Sequence, residues 1–342
     1  MFNRPCIVYA PFTSDIDAAR VVAFYNERMR ELHKRSVDLS MDEFRAQYDS
    51  PTFDVSMFGF EESSSLVALG IAMHWIDGSN GELQYLQLFV SPPQRLRGMG
   101  RSLLSKSLGI ADGSGRTIIT ADAVDAVPAG EGFAQSLGAD VGMREHLNAV
   151  AVEDLDVDML VRWRREAPER APEYELMAWN DGWPREYDRD LARLFVIAHE
   201  DMPYEEAEFE PVAETAASVR ERYERTEGTM FRLTSAVRHL GTGEIVGFSE
   251  LVTLKSGDPT LHTTLTVVHR DHRGFALGKW IKADAILRGL DRFPGTTHIE
   301  TENAFSNEPM LAINEEIGFT PEQTSVVYQI STERIRSYLA ES

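Results

Sequence analysis

The sequence predicts an α/β protein made of two copies of one domain in tandem, each a meander of strands followed by alternating strand and helix. Three observations point there. The chain has 342 residues, more than the ~100–200 of one ordinary domain. Hydrophobic residues at 43% and charged residues at 26% give each half material for its own core and exclude disordered and low-complexity classes. The halves also match at a nearly fixed offset. FVSPPQRLRGMGRSLL (89–104) lies opposite VVHRDHRGFALGKWIK (267–282), with Gly100 against Gly278 at an offset of 178. ITADA (119–123) lies opposite IETEN (299–303) and SLGAD (136–140) opposite EIGFT (316–320), both at 180. A period this long excludes a solenoid and implies duplication.

In the first half CIVYAPF reads as a strand, and DIDAARVVAFYNERMREL as an amphipathic helix with Asp15 as candidate cap. DVSMFGF, SLVALGIAMHWI and LQYLQLFVS read as strands separated by turn residues. RSLLSKSLGIA is helical, RTIITADAV a strand, and EGFAQSLGA a short helix closed by Gly138. The second half follows with ELMAW, REYDRDLARLFVIAHE, FRLTSAVRH, EIVGFSELVTL, LHTTLTVVH, KWIKADAILRGL, HIETEN and PMLAINEEI. Between them a polar helical run passes through two Ala-Pro pairs into apolar alternation. The expected division is therefore residues 1–160, a linker at 161–174, and residues 175–342.

Acidic residues number 55 against 34 basic ones, a net charge of −21, which argues against a duplex nucleic-acid binder. Residues 172–342 hold 30 acidic and 17 basic residues, and residues 1–171 hold 25 and 17, so the excess leans toward the second copy. The single cysteine, Cys6, excludes an internal disulfide and a cysteine-rich zinc site, and no metal is expected. No stretch approaches the ~18 apolar residues of a membrane span, and MFNRPCIVYAPF has no signal-peptide core. A soluble cytoplasmic protein, without nucleic-acid or membrane partners, is expected.

The sharpest local pattern is a strand that ends in a basic, glycine-rich turn and runs into a helix: Arg95-Leu96-Arg97-Gly98-Met99-Gly100-Arg101-Ser102. Glycine lets the backbone approach a bound group, and free amides at a helix start favour an anion such as a pyrophosphate. The pattern is neither GxGxxG nor GxxxxGK[ST]. It resembles the acetyl-CoA-binding motif of the GNAT acetyltransferase superfamily. Arg273-Gly274-Phe275-Ala276-Leu277-Gly278 repeats it with alanine for one glycine. Downstream, GTTHIETENAFSNEPMLAINEEIGF (295–319) looks like the coenzyme-facing half of GNAT domains, especially the tandem-domain acetyltransferases of actinobacteria, a group that includes mycothiol synthase.

The resemblance implies two tandem GNAT folds, each a mixed, mostly antiparallel twisted sheet flanked by helices, using acetyl-CoA. It places the coenzyme on Val90, Arg95, Leu96, Arg97, Gly98, Met99, Gly100, Arg101 and Ser102 in the first copy. In the second it implies Val267, Val268, Arg273, Gly274, Phe275, Ala276, Leu277, Gly278 and Lys279. Asn303 and Asn307 would meet the pantetheine arm or a substrate-side water; each is equally readable as a polar cap of the helix near Pro309. The implied activity is N-acetyl transfer to a primary amine.

Acetyl transfer needs a neutral amine, a held carbonyl oxygen and a proton for the departing thiolate. GNAT domains often supply that proton from a tyrosine at a position occupied here by Asn314 and Ala134, neither able to donate it. Substitutes stand on core-like strands of the second copy: Glu250 in VGFSELV and His262 in LHTTLTVV, with Asn303 as a third candidate and Glu300 a fourth. Glu250 is the preferred base; the alternative is a strand residue paired with a nearby Arg or Lys, and for His262 a solvent-facing strand end. The first copy offers His74, Glu82, Gln84 and Tyr85, which read equally as a polar strand face. Chemistry is therefore expected in the C-terminal copy.

Residues 199–228 hold ten acidic and three basic side chains, interleaved with Met202, Tyr204 and Phe209. This stretch reads either as an entrance that draws in a small cationic amine or as a solvated loop pinned by its aromatics. A non-catalytic acyl-CoA sensor and a protein or peptide N-acetyltransferase stay open beside a small-molecule enzyme. Two copies in one chain could replace the dimer of single-domain relatives, leaving monomer or homodimer.

Overall fold

The computed structural model describes residues 5–341. The first half runs β1 (Ile7–Tyr9), α1 (Asp15–Leu32), α2 (Met41–Tyr48), β2 (Phe53–Glu62), β3 (Ser65–Trp75), β4 (Leu83–Val90), α3 (Met99–Ser114), β5 (Ile118–Val124), α4 (Pro128–Ser136), β6 (Asp140–Ala151) and α5 (Val157–Arg170). The second runs β7 (Tyr174–Asn180), α6 (Asp188–Asp201), α7 (Ala216–Thr226), β8 (Met230–His239), β9 (Ile245–Leu254), β10 (Thr260–Val268), α8 (Leu277–Arg292), β11 (His298–Ala304), α9 (Glu308–Ile317), β12 (Thr320–Ser331) and α10 (Thr332–Ala340). The order of elements is the same in both, so the sequence repeat is a structural repeat. Helix α1 is capped by Ser14, which accepts from Asp17 N, rather than by Asp15.

The chain forms two compact units, whose membership differs from a cut at 160/175. Unit 1 contains residues 1–144, 204–210 and 324–342; unit 2 contains 145–203 and 211–323. In unit 1 the strand order is β1-β2-β3-β4-β5-β12, and in unit 2 it is β6-β11-β10-β9-β8-β7. The last strand of each copy thus completes the sheet of the other. β12 runs antiparallel to β5 with Tyr328 opposite Ala121, and β6 antiparallel to β11 with Ala149 opposite Glu300. The helix after each strand goes with it: Ile335 of α10 is buried among Leu103 and Leu104 of α3, and Leu160 of α5 among Ala283 and Ile286 of α8. The expected linker at 161–174 is therefore the body of α5 and its exit, where Ala167 and Ala171 are buried beside Trp280. Pro168 is tolerated in the last turn of that helix.

Each unit is a sheet between two helical layers. In unit 1, Phe58, Leu86 and Ile119 meet α3, and Met57, Leu69 and Ile71 meet α1 and α2. In unit 2, Leu233, Leu251 and Ile299 meet α8, while Ala236, Phe248 and Val267 meet α6 and α7. Two parallel pairs are short. β4 pairs β5 over Leu83–Tyr85, and β10 pairs β11 over Thr260–Thr263. Beyond those residues the strands part, and α3 and α8 begin just past the free ends of β4 and β10. No helix among the described residues is long and apolar enough to cross a membrane.

Candidate functional site

The glycine-rich turn takes one backbone form in both copies. Leu96 and Gly98 have φ of 61° and 82°; their counterparts 178 residues on, Gly274 and Ala276, have 90° and 58°. Each copy thus bends twice through the left-handed region and places a single glycine at a different one of the two bends. The first helical bonds are Ser102 N to Gly98 O and Trp280 N to Ala276 O. The amides of Met99, Gly100 and Arg101, and of Leu277, Gly278 and Lys279, therefore have no carbonyl of their own helix and are available at the positive end of the dipole. A Cβ on Gly100 would reach Phe133 at 3.7 Å and one on Gly278 would reach Ile313 at 3.6 Å, ordinary contacts. Packing does not require glycine at either place; its absence of side chain keeps the helix start open, as a pyrophosphate cradle needs. Ala276→Gly should relieve left-handed strain and stabilise the ligand-free protein by about 1 kcal/mol, read as a raised thermal midpoint. An unchanged or lowered midpoint would contradict that strain.

The motif arginines are clamps. Arg95 Nε donates to Val90 O at 3.1 Å and its Nη2 to Glu31 at 2.5 Å. Arg273 repeats this with Val268 O at 3.0 Å and with Asp201. Burial alone would raise the Asp201 carboxyl, but the hydrogen bonds and charges of Arg270 and Arg273 hold it below the ordinary carboxylate range. Arg95 and Arg273 thus lock a strand end to the end of α1 or α6. Arg97 donates to Gln94, Ser102 Oγ to Gly98 O, Arg101 to the Tyr338 and Leu339 carbonyls, and Lys279 to Glu316. Val267, Met99 and Leu277 are core side chains whose contribution is backbone. Phe275 is exposed beside Tyr174 and belongs to an aromatic group with His239 and His272 on the flank of the second cradle. The corresponding flank in unit 1 is the Gln94–Glu62 hydrogen bond.

Where β10 leaves β11, unit 2 carries a polar cluster. The β9–β10 register shifts between Thr263 and Leu265, making Thr264 a bulge next to Glu250. Glu250 is 2% exposed. Its Oε1 accepts from Thr264 Oγ1 at 2.8 Å and from Arg232, whose other nitrogen donates to Thr226 at 3.0 Å. Its Oε2 is buried and makes no hydrogen bond within the protein. Glu250 is thus both the partner of an arginine and a carboxylate with one uncommitted oxygen. On the next strands His262 Nε2 lies 2.9 Å from Asp258 and its Nδ1 3.4 Å from Glu300. Burial alone would lower the His262 pKa; the Asp258 hydrogen bond and the charges of Asp258, Glu300 and Glu302 outweigh it and raise it. Asp258 and Glu300 thus face the two ring nitrogens of His262.

Unit 1 has nothing comparable in register. Glu250 lies opposite Leu265 as Ile71 lies opposite Gln87; Arg232 opposite Val252 as Val55 opposite Met73; His262 opposite Val252 as Tyr85 opposite Met73. The β3–β4 pairing has no bulge. The other first-copy candidates are dispersed. Gln84 is buried against Ser107 of α3, Tyr85 is bonded to Asp122, Glu82 accepts from Thr117, and His74 stands 3.6 Å from Asp54. Burial, then the charge of Arg116, lowers the His74 pKa.

Asn303 accepts from Asn314 at 2.7 Å, and Asn314 in turn accepts from the buried Lys282. Asn307 is the residue before α9 but its side chain makes no capping bond. Sequence reasoning passed over Arg232, Asp258, Thr264 and Lys282. Lys282 alone left a signal, a lysine within the apolar stripe of WIKADAI. The acidic stretch does not form one mouth. Glu205, Glu206, Glu208 and Glu210 lie on a segment of unit 1 tied to Arg144, Gly142, Gln329 and Asn80. Asp201, Glu214 and Glu224 are paired with Arg273, Arg222 and Arg185. Tyr204 and Phe209 pack together at 5.9 Å as anchors of that segment, and Met202 is exposed at the end of α6.

The fold is that of solved tandem GNAT proteins. A tandem GNAT protein from the clavulanic acid biosynthesis pathway superposes with a TM-score of 0.79 at 22% identity, covering 96% of this chain and 98% of that one. A GCN5-related N-acetyltransferase from Sphaerobacter thermophilus gives 0.64 at 12% identity, covering 96% of both chains. A GCN5-related glucosamine N-acetyltransferase region of a fungal multi-domain GH3 β-N-acetylglucosaminidase gives 0.65 at 13%, covering 95% of this chain and 38% of that one. No protein-family model matches the sequence, and no curated protein matches it.

Proposed function

We propose that the protein is an acetyl-CoA-dependent N-acetyltransferase for a primary amine of a small cationic metabolite or antibiotic, with its chemistry in unit 2. The observation that carries this reading is the substitution of Arg232, Glu250 and His262 for Val55, Ile71 and Tyr85 at matched register positions, beside a bulge that unit 1 lacks. Ionisable groups on one of two otherwise matching sheets, with Glu250 buried and Arg232 nearly so, support a task there. Acetyl-CoA would supply the activated acyl group as a thioester, and the amides of Leu277, Gly278 and Lys279 are the groups fitted to its pyrophosphate. Glu250 accepts the ammonium proton of the acceptor at Oε2, directly or through water, and Arg232 and Thr264 fix the carboxylate. His262 lies on the same face, its ring oriented by Asp258 and Glu300. Carboxylates on β9, β11 and the turn before β10 support a cationic acceptor in place of the acidic stretch. The similarity to a glucosamine N-acetyltransferase region and to a protein of the clavulanic acid biosynthesis pathway is in keeping with an amino-sugar-like or similar amine.

The second reading is a non-catalytic acyl-CoA-binding module, favoured by the engagement of Glu250 with Arg232 and by Asn314 and Ala134 at the usual tyrosine position. Mixing the protein with acetyl-CoA and a panel of small amines should release free thiol. Coenzyme binding without turnover across the panel would establish the second reading; turnover on peptides alone would establish a peptide acetyltransferase.

A further inference from the structure

Three side chains form a connected polar chain inside unit 2. Lys282 on α8 is fully buried, donates to Asn314 Oδ1 and stands 5.2 Å from the centroid of the Phe319 ring. Asn314 on α9 is itself buried and donates from Nδ2 to Asn303 Oδ1 at 2.7 Å. Asn303 on β11 lies beyond Thr301, the last residue of that strand paired with β10, and so at the parting of the strands. At the offsets of the repeat, unit 1 has Leu104, Ala134 and Ala123 in these three places. All three are apolar.

A lone lysine in an apolar layer destabilises a fold, and unit 1 packs the equivalent helix with leucine, so packing does not explain Lys282. The charged groups around it are engaged elsewhere. Lys279 on α8 pairs with Glu316 of α9, Asp284 on α8 accepts from Ser235 and from Arg164 of α5, and Glu300 on β11 lies against His262. Burial lowers the Lys282 pKa to about 7. As an ammonium it only donates, so the Asn314 amide turns its oxygen to Lys282 and its nitrogen to Asn303. The oxygen of Asn303 is then occupied, and its Nδ2 is left as the donor at the strand parting.

We propose that Lys282 is a positioning residue of the unit 2 site, which through Asn314 orients Asn303 so that Asn303 Nδ2 donates a hydrogen bond to a carbonyl oxygen of the bound thioester or its pantetheine arm. The ligand in this statement rests on the acyltransferase reading; the orienting chain does not. Two measurements test it. Without coenzyme, the side-chain amide resonances of Asn303 and Asn314 in selectively labelled protein should titrate together with a midpoint near neutral pH and lose that response in Lys282→Met. Amides that ignore pH, or titrate unchanged in the variant, overturn the inference. With coenzyme, Lys282→Met and Asn303→Ala should each weaken acetyl-CoA affinity by ~10-fold by calorimetry, and the double variant should be no weaker than Asn303→Ala alone. Independent, multiplying losses would mean that Lys282 does not act through Asn303. Lys282→Leu, the unit 1 residue, guards against an effect peculiar to methionine. Wild-type protein that binds no acetyl-CoA fails the reading of the site, a failure distinct from that of the amide titration.

Discussion

Glu250→Gln is expected to lower turnover by ~10²-fold or more while coenzyme affinity stays nearly unchanged. Glutamine keeps the volume and still accepts from Thr264 and Arg232, so the cluster retains its shape. It removes the one property the reaction needs, the ability of Oε2 to take a proton. The change also leaves Arg232 buried without its counter-charge, which costs several kcal/mol of unit 2 stability. Turnover must therefore be compared well below the variant's thermal midpoint, and coenzyme affinity serves as the check that the fold persists. Undiminished turnover would remove Glu250 from the mechanism.

The second large effect is on stability. Lys282 has a folded pKa of about 7 against an ordinary 10.5, so between those values the unfolded chain holds a proton that the folded chain has released. Stability at this position is therefore lowest below pH 7 and rises as pH climbs toward 10.5. At ~1.4 kcal/mol per pH unit the upper bound is about 5 kcal/mol, reduced by the lost Asn314 hydrogen bond in any variant. Lys282→Met should accordingly raise the thermal midpoint at pH 6, with the gap over wild type shrinking toward pH 10. A gap independent of pH, or a less stable variant at pH 6, would show that the lysine is not the buried charge it is taken to be. A stabilising change that weakens coenzyme binding is the pattern expected where a site is kept at the expense of stability.

Several residues of the candidate site stood out in the sequence. The turn 95–102 and its repeat announce themselves because glycine, a basic residue and a helix start are all local signals. Glu250 and His262 stood out as charged or titratable groups on apolar strands, and both lie on one face where β10 and β11 separate. The roles of Arg95 and Arg273 were not legible. A motif arginine looks free until Glu31 or Asp201, 64 and 72 residues away, is brought against it. The charges of the acidic stretch are likewise near in sequence but divided between two units. Asp258, Arg232 and Thr264 gave no signal, because their part depends on register and on a one-residue bulge.

By itself the sequence determined that the chain is a duplicated α/β domain with a glycine-rich strand-to-helix turn in each copy. Hydrophobic period, turn chemistry and helix starts are set by residues a few places apart. Tertiary structure alone decided which strand completes which sheet. β6 with α5 and β12 with α10 follow the same strand-then-helix order, so local order alone does not assign them. Only the pairing of Ala149 with Glu300 and of Tyr328 with Ala121, strand against distant strand, does so.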